Sequence, residues 1–362
     1  AARVFDTNAD ACERSRASLR RILDRQVEKG QLGAGEADTI HARVEFVGAL
    51  EDLRGCGLVI EAVVEDPAVK KSLFAGLENV VADDAVLATN TSSLSIASIA
   101  SACKGAERVL GMHFFNPAPL MPLVEVVPGV RTDPAVVAET RSLVDSWGKT
   151  SVLAKDTPGF IVNRVARPYY GEALRILEEG IADAATIDWA MKTFGGFRMG
   201  PFELMDLIGN DINYTVTETV FTAFFCDPRY KPSFTQKRLV EAGFLGRKSG
   251  RGFYDYAEGA VNPRPHEDEK LGRRILTRVL SMLINEAADA LFWNVATRQD
   301  IDLAMVKGVN YPKGLLHWAD EVGVERVLDT LCDLQGEYGE DRYRPSPLLR
   351  RMARDGATFA GD

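Results

Sequence analysis

The sequence predicts an α/β fold in its first part, a doubly wound, largely parallel sheet that is N-terminally incomplete, followed by two repeated all-α domains. Three observations carry this. Short apolar runs alternate with helical stretches up to about residue 150. After Pro158 only helical periodicity remains, and the residues beyond 270 repeat the pattern of those before 257 at a fixed offset.

Arg3–Phe5 reads as the end of a strand closed by Asp6, and Ala9–Lys29 as a long amphipathic helix. Gly30–Gly35 breaks that helix before a second one near Glu36–Arg43. Leu58–Val63 is a buried strand and Pro67–Val81 the helix that follows it. Val86–Thr89, Val109–Phe114 and Leu123–Val127 supply further strands, with Ala135–Ser146 helical. Such alternation implies helices on both faces of the sheet.

The change of pattern sets a boundary near residue 153, giving domains at 1–152 and 153–256. Residues 257–270, with Asn262-Pro263-Arg264-Pro265-His266 and several acids, read as a linker before a last domain at 271–362. Glu172-Ala173 aligns with Glu286-Ala287 and Ile187-Asp188 with Ile301-Asp302, at an offset of 114. Gly200, Asp206 and Gly209 meet Gly314, Asp320 and Gly323 at the same offset, so duplication explains the pattern. The second copy replaces Met199-Gly200-Pro201-Phe202-Glu203-Leu204 with Lys313-Gly314-Leu315-Leu316-His317-Trp318, which implies retained packing and a relaxed role in the site.

Length and composition bound the rest. A chain of 362 residues suits two or three domains. No apolar run approaches the roughly 18 residues of a membrane span, and no basic-then-apolar leader opens the chain. Five scattered cysteines form no metal-like spacing, which points to a reduced, cytoplasmic setting. A net charge of −9 argues against nonspecific nucleic-acid binding but leaves room for an anionic coenzyme on a local basic patch.

Chemistry concentrates in residues 108–127. His113 ends one apolar run and Glu125 interrupts the next, and two titratable groups on neighbouring apolar strands are costly to bury unless they pair. A paired His and carboxylate is the usual device for a general base, because the acid fixes the ring's orientation and tautomer; the plain alternative is a structural pair. Asn116 follows in a Phe-Phe-Asn-Pro turn, where its amide could hold a substrate oxygen. Asn90-Thr91-Ser92-Ser93-Leu94 forms a polar cluster at a strand's C-terminal end, where open α/β sheets bind ligands. For Thr91, Ser92 and Ser93 the alternative is capping of a helix at Ile96–Ala100.

Five segments in order resemble the L-3-hydroxyacyl-CoA dehydrogenase family: Asn90–Leu94, Gly111–Pro117 with Leu123–Val127, Asp156–Arg164, Met199–Leu204, and Gly246–Tyr254. The likeness is strongest to bacterial enzymes acting on 3-hydroxybutyryl-CoA or 3-hydroxyadipyl-CoA that carry a duplicated C-terminal domain. It implies a Rossmann-like first domain, NAD as cofactor, fatty acid metabolism, and oxidation of an L-3-hydroxyacyl-CoA to a 3-ketoacyl-CoA. His113 would remove the 3-hydroxyl proton, Glu125 would orient it and stabilise its charge, and Ser92 and Asn116 would hold the hydroxyl or thioester oxygen. Asn163 would close the site from the helical side. Glu65 and Lys70 match positions near the nicotinamide ribose, the alternative being a solvated pair on a helix face. Asp6 stands where an acid accepts the adenosine ribose hydroxyls, or merely starts a capping turn. Lys248 matches a basic residue with a coenzyme or dimer-contact role.

The family's G-x-G-x-x-G segment has no counterpart here, since Leu32-Gly33-Ala34-Gly35 follows a helix and reads as a turn between helices. The expectation is a longer enzyme, whose missing strand and helix supply the phosphate cradle. In the family the helical domain forms a dimer interface, so the expected partners are the acyl-CoA thioester and either a second copy or, within one chain, a pseudo-dimer. Two other readings stay open. One is a β-hydroxyacid or sugar-nucleotide dehydrogenase, which uses a reacting lysine or cysteine that the matched positions lack. The other is a non-catalytic homologue or inactive fragment.

Overall fold

The computed structural model describes residues 1–361. Its first part runs β1 (Ala2–Phe5), α1 (Ala9–Glu28), α2 (Ala34–Ala42), β2 (Val44–Val47), β3 (Leu58–Glu61), α3 (Pro67–Glu78), β4 (Val86–Thr89), α4 (Ile96–Ala100), β5 (Val109–Phe114), β6 (Leu123–Pro128), α5 (Pro134–Ser146) and β7 (Thr150–Leu153). Helices α1, α3 and α5 start on capping side chains: Asn8, Asp66 and Asp133 each accept backbone N–H groups of the first turn. Strands β2 and β7 were not legible in the sequence. Each is four residues long, and β2 directly follows a helix that masks its pattern.

Strands β3-β4-β5-β6-β7 form one sheet, parallel except for the antiparallel pair β5–β6, while β1 and β2 pair in parallel apart from it. Phe5 and Val47 of the small sheet nevertheless pack on the same buried cluster as Val59 of β3. β1 and β3 are therefore both edge strands of parallel sheets, and Ile60 stands 37% exposed in a strand whose composition suits a central position. The strand that the family resemblance would set between them is not among the described residues.

Among the described residues no further strand follows β7, apart from two isolated bridges at Gly246–Arg251 and Arg251–Asp255; the helices are α6 (Val162–Val165), α7 (Arg167–Glu178), α8 (Ala184–Gly195), α9 (Pro201–Ile208), α10 (Asn210–Ala223) and α11 (Phe234–Glu241), then α12 (Glu269–Phe292), α13 (Arg298–Gly308), α14 (Leu315–Val322), α15 (Val324–Tyr338) and α16 (Pro347–Asp355). The 114-residue offset seen in the sequence carries α8, α9 and α10 onto α13, α14 and α15, while α6 and α7 fall within the single long α12. Matching devices recur. Asp188 accepts the N–H groups of Phe202 and Glu203 at the start of α9, and Asp302 those of Leu316 and His317 at the start of α14. Gly209 and Gly323, at φ 103° and 95°, each turn the chain between consecutive helices.

One apolar core joins the parts. Ile96, Leu123, Val127 and Val152 of the sheet layer pack with Phe160, Ile161 and Val165 and with residues of both helical repeats. The other sheet face buries Leu110, Met112, Val124 and Val126. Helix α13 lies against β6 and β7, with Gly308 so close to Leu123 that a Cβ there would stand 2.6 Å from a Leu123 methyl.

Candidate active site

Residue alternation decides which face the site occupies. In β6, Val124 and Val126 point into one core, so Leu123, Glu125 and Val127 point to the other, toward the helices. The antiparallel register sets His113 directly opposite Glu125, and the two side chains meet with Nδ1 2.6 Å from Oε2. The second carboxylate oxygen accepts the N–H groups of Ile161 and Val162, at 3.0 and 2.9 Å. Glu125 is fully buried and both of its carboxylate oxygens are hydrogen-bonded, which is the condition for burying such a group. Two successive left-handed residues, Gly159 at φ 72° and Phe160 at φ 48°, aim those amides at it.

With Nδ1 held by Glu125, Nε2 of His113 keeps no protein partner among the described residues. Phe115 and Phe160 pack on the ring, with centroids 4.6 and 5.8 Å away. Neutral His113 in this arrangement donates from Nδ1 and presents a lone pair at Nε2, the arrangement of a general base.

The polar loop 90–94 is organised from the loop that follows β3. Glu65 Oε1 accepts from Thr91 Oγ1 at 2.5 Å, Ser92 N at 3.0 Å and Ser93 Oγ at 3.1 Å. Burial pushes the Glu65 carboxyl up, but Thr91, Lys70 and the Ser92 amide together hold it below the ordinary range. Asn90 Oδ1 accepts Phe114 N–H at 2.8 Å and so ties the loop to the end of β5. Two alternatives fall here. The N-cap of α4 is Ser95, while Thr91 stabilises its own turn by accepting from Ser93 and Leu94. Lys70 is no solvated helix-face residue, because its stem is buried and its ammonium lies 2.6 Å from Glu61 and 3.3 Å from Glu65.

Asn163 reaches across from α6, its amide 3.5 Å from the carbonyl of Ser92. Contacts thus link His113 to Glu125, Glu125 to the start of α6, and Asn163 of α6 to the Ser92 loop, with Glu65 and Lys70 against that loop. Asn116 is exposed in the turn three residues beyond His113. Asp6 lies apart, exposed at the end of β1, one oxygen accepting Asn8 N–H at 2.8 Å. Lys248 pairs with Asp211 at 2.6 Å. Sequence reasoning missed the roles of Glu61, Asp156 and the Ile161 and Val162 amides. Asp156, just past β7, ties its segment to the start of α4 by accepting from Ser95 Oγ, Ile96 N and Ala97 N. Its only sequence signal was membership of the Asp156–Arg164 segment.

These groups lie at the C-terminal edge of β3, β4 and β5, where open α/β sheets take nucleotides. Asp6 is an exposed acid at the end of β1, a residue type and place that suit a ribose hydroxyl, whereas no G-x-G-x-x-G turn occurs among the described residues. The family model "3-hydroxyacyl-CoA dehydrogenase, NAD binding domain" matches residues 2–157, and "3-hydroxyacyl-CoA dehydrogenase, C-terminal domain" matches 159–256 and again 275–359.

The chain belongs to the 3-hydroxyacyl-CoA dehydrogenase family.

It is therefore an NAD-linked oxidoreductase, as the resemblance implied. The 3-hydroxyadipyl-CoA dehydrogenase of Escherichia coli K12 is 39% identical, the match covering 97% of this chain and 92% of that one. A crystal structure of 3-hydroxybutyryl-CoA dehydrogenase from the same organism superposes with a TM-score of 0.90 at 38% identity, over 97% and 93% of the two chains. The alpha subunit of the fatty acid oxidation complex of Acinetobacter baylyi is 34% identical over 94% of this chain, which spans half of that larger protein.

Proposed function

We propose that this dehydrogenase oxidises the 3-hydroxyl of an L-3-hydroxyacyl-CoA thioester, with His113 as the base. The His113–Glu125 pair carries the reading, since a buried imidazole with one nitrogen anchored and the other open suits removal of a hydroxyl proton. His113 Nε2 takes the proton, and Glu125 keeps the ring in place while stabilising the imidazolium. Ser92, Asn116 and Asn163 hold the hydroxyl or thioester oxygen at the mouth of the cleft. Bound NAD supplies the hydride acceptor; Asp6 would hold its adenosine ribose, and Glu65, Lys70, Ser92 and Asn116 would face its nicotinamide end. The apolar walls formed by Phe115 and Phe160 keep water from the base.

We read the chain as domains 1–152, 153–256 and 271–362 around a linker at 257–270, with the second repeat standing in for a dimer partner as an intrachain pseudo-dimer. The two separate C-terminal matches and the cross-repeat ion pairs support this. Free cysteines throughout accord with a cytoplasmic enzyme of fatty acid metabolism.

The test is NADH formation from L-3-hydroxybutyryl-CoA, compared with His113→Ala and Glu125→Gln. Turnover is expected to fall about 10²–10⁴-fold with modest change in thioester binding. Near-normal turnover in both variants would remove His113 as the base.

A further inference from the structure

A cavity of about 850 Å³ lies where the first domain meets the second helical repeat. Its sheet-side wall is Pro128, Leu153 and Ala154, where β6 and β7 end. The antiparallel register sets Pro128 opposite Leu110, near the start of β5, three residues or about 10 Å of strand from the level of His113 and Glu125. The loops holding Ser92 and Asn116 leave β4 and β5 at the other end of the sheet, so the cavity is separate from the candidate active site. Leu291, Val295, Leu348 and Phe359 line the helical side, and the Lys155 N–H donates to the Val295 carbonyl at 2.7 Å, which ties the two walls together.

The charges at this apolar cavity are mostly of one sign. Lys155, Arg298 and Arg351 line it against a single carboxylate, that of Asp300, in a chain whose net charge is −9. None of the three cations is well neutralised. Lys155 and Arg351 make no ion pair and no side-chain hydrogen bond among the described residues, and the Arg351 guanidinium lies over the Phe292 ring, 5.2 Å from its centre. Arg298 Nε is buried with no hydrogen-bond partner. The one carboxylate in ion-pair range of Arg298, that of Asp320 at 3.9 Å, already accepts the N–H groups of Phe359 and Ala360. A buried donor left without a partner is costly, and an anion beside it would relieve that cost.

The duplication sharpens the contrast. At the 114-residue offset Glu178 is replaced by Phe292 and Ala184 by Arg298, so an acid is lost and a cation gained, against one change of opposite sign, Thr186 to Asp300. In the first copy the linker lies against this place, the His266 N–H donating to Thr186 Oγ1 at 2.9 Å.

We propose that this cavity is a second binding site, for an amphipathic anion: an aliphatic chain ending in one anionic group. The chain lies on the apolar walls, where burial of its surface drives binding, and the anion sits among Lys155, Arg298 and Arg351. The volume falls within the range of about 300–1,000 Å³ usual for small-molecule sites. The site is independent of whatever substrate is oxidised at His113.

Calorimetric titration of the full chain with octanoate, octyl phosphate and 1-octanol tests it, since the three share a chain and differ in the head. Both anions are expected to bind at one site, at least about 10-fold tighter than the alcohol, the scale of a charge-assisted hydrogen bond. The tighter of the two identifies the head group as carboxylate or phosphate. Hydrogen exchange should slow at residues 153–155 and 291–300 when octanoate is bound. Lys155→Met combined with Arg351→Met changes two exposed side chains and should weaken both anions at least about 10-fold while leaving 1-octanol unchanged. Anions that bind no tighter than the alcohol overturn the proposal, as does an affinity that survives the double substitution. So does protection at residues 90–94 and 113–116 in place of the cavity walls, which would put the ligand at His113.

Discussion

Glu172 and Glu286 occupy equivalent places in the two repeats, and each is neutralised by arginines of the other repeat. Glu172 takes Arg278 Nε at 2.6 Å, Arg342 Nε at 3.1 Å and the Tyr343 hydroxyl at 2.8 Å. Glu286 takes Arg164 Nε at 2.6 Å, Arg229 Nη1 at 3.2 Å and the Tyr230 hydroxyl at 2.5 Å. Such reciprocity is the mark of a self-complementary interface, here closed within one chain.

Acid should weaken this interface. Burial pushes both carboxyls up, but the arginines outweigh it and hold both below the ordinary carboxylate range. Groups with depressed values lend stability that is complete above the unfolded value, about 4.3, and lost as pH falls through the folded one. Urea midpoints are expected to drop below about pH 4.3. Glu172→Gln should lose about 3–5 kcal/mol at pH 7, with Arg342 left unpaired and Arg278 keeping only Glu179, and show a shallower acid limb. An unchanged limb would mean that other groups govern acid unfolding.

A chain cut after Asp255 keeps Arg164, Glu172, Arg229 and Tyr230 and loses their partners in the second repeat. Two such chains can satisfy one another with the same pairs. Sedimentation is expected to give twice the mass of the cut chain, with lower thermal stability at high dilution. An unchanged mass per chain together with unchanged stability would refute the pseudo-dimer.

Asp156→Ala removes the acceptor that holds Ser95, Ile96 and Ala97 at the start of α4. The cost is expected to be about 1–2 kcal/mol, as for loss of a helix cap. Hydrogen exchange should quicken at the Ile96 and Ala97 amides first, because the loss is local; uniform quickening would point to a global effect instead.

Gly246→Ala tests why the Gly246–Tyr254 segment is rich in glycine. Gly246 sits at φ 93°, and a Cβ there would stand 2.3 Å from the Asp206 carbonyl oxygen, which is backbone and cannot swing aside. A loss of about 2–3 kcal/mol in chemical denaturation is expected from strain and overlap together. An alanine tolerated without cost would show that this loop yields.

The reading of the site was strongest where local pattern and chemistry coincide. His113 and Glu125 stood out because a titratable residue inside an apolar run has few explanations, and the strand register then placed them face to face. Lys70 shows the opposite case. In the sequence it resembles any charged residue on a helix, and only the approach of β3 reveals that Glu61 draws it into the core.

Local sequence determined the alternation of strands and helices, the gap-free repeat and the pairing of His113 with Glu125. Those features depend on neighbours within a few residues or on a fixed spacing. Tertiary structure alone decided that the Ile161 and Val162 amides hold Glu125, that Asp156 ties its segment to the start of α4, and that each repeat's glutamate is neutralised by arginines of the other. Each of these depends on which distant atoms share a small buried volume, and desolvation makes that company decisive: the same side chain that costs little in water must find its partner or stay unpaired once buried.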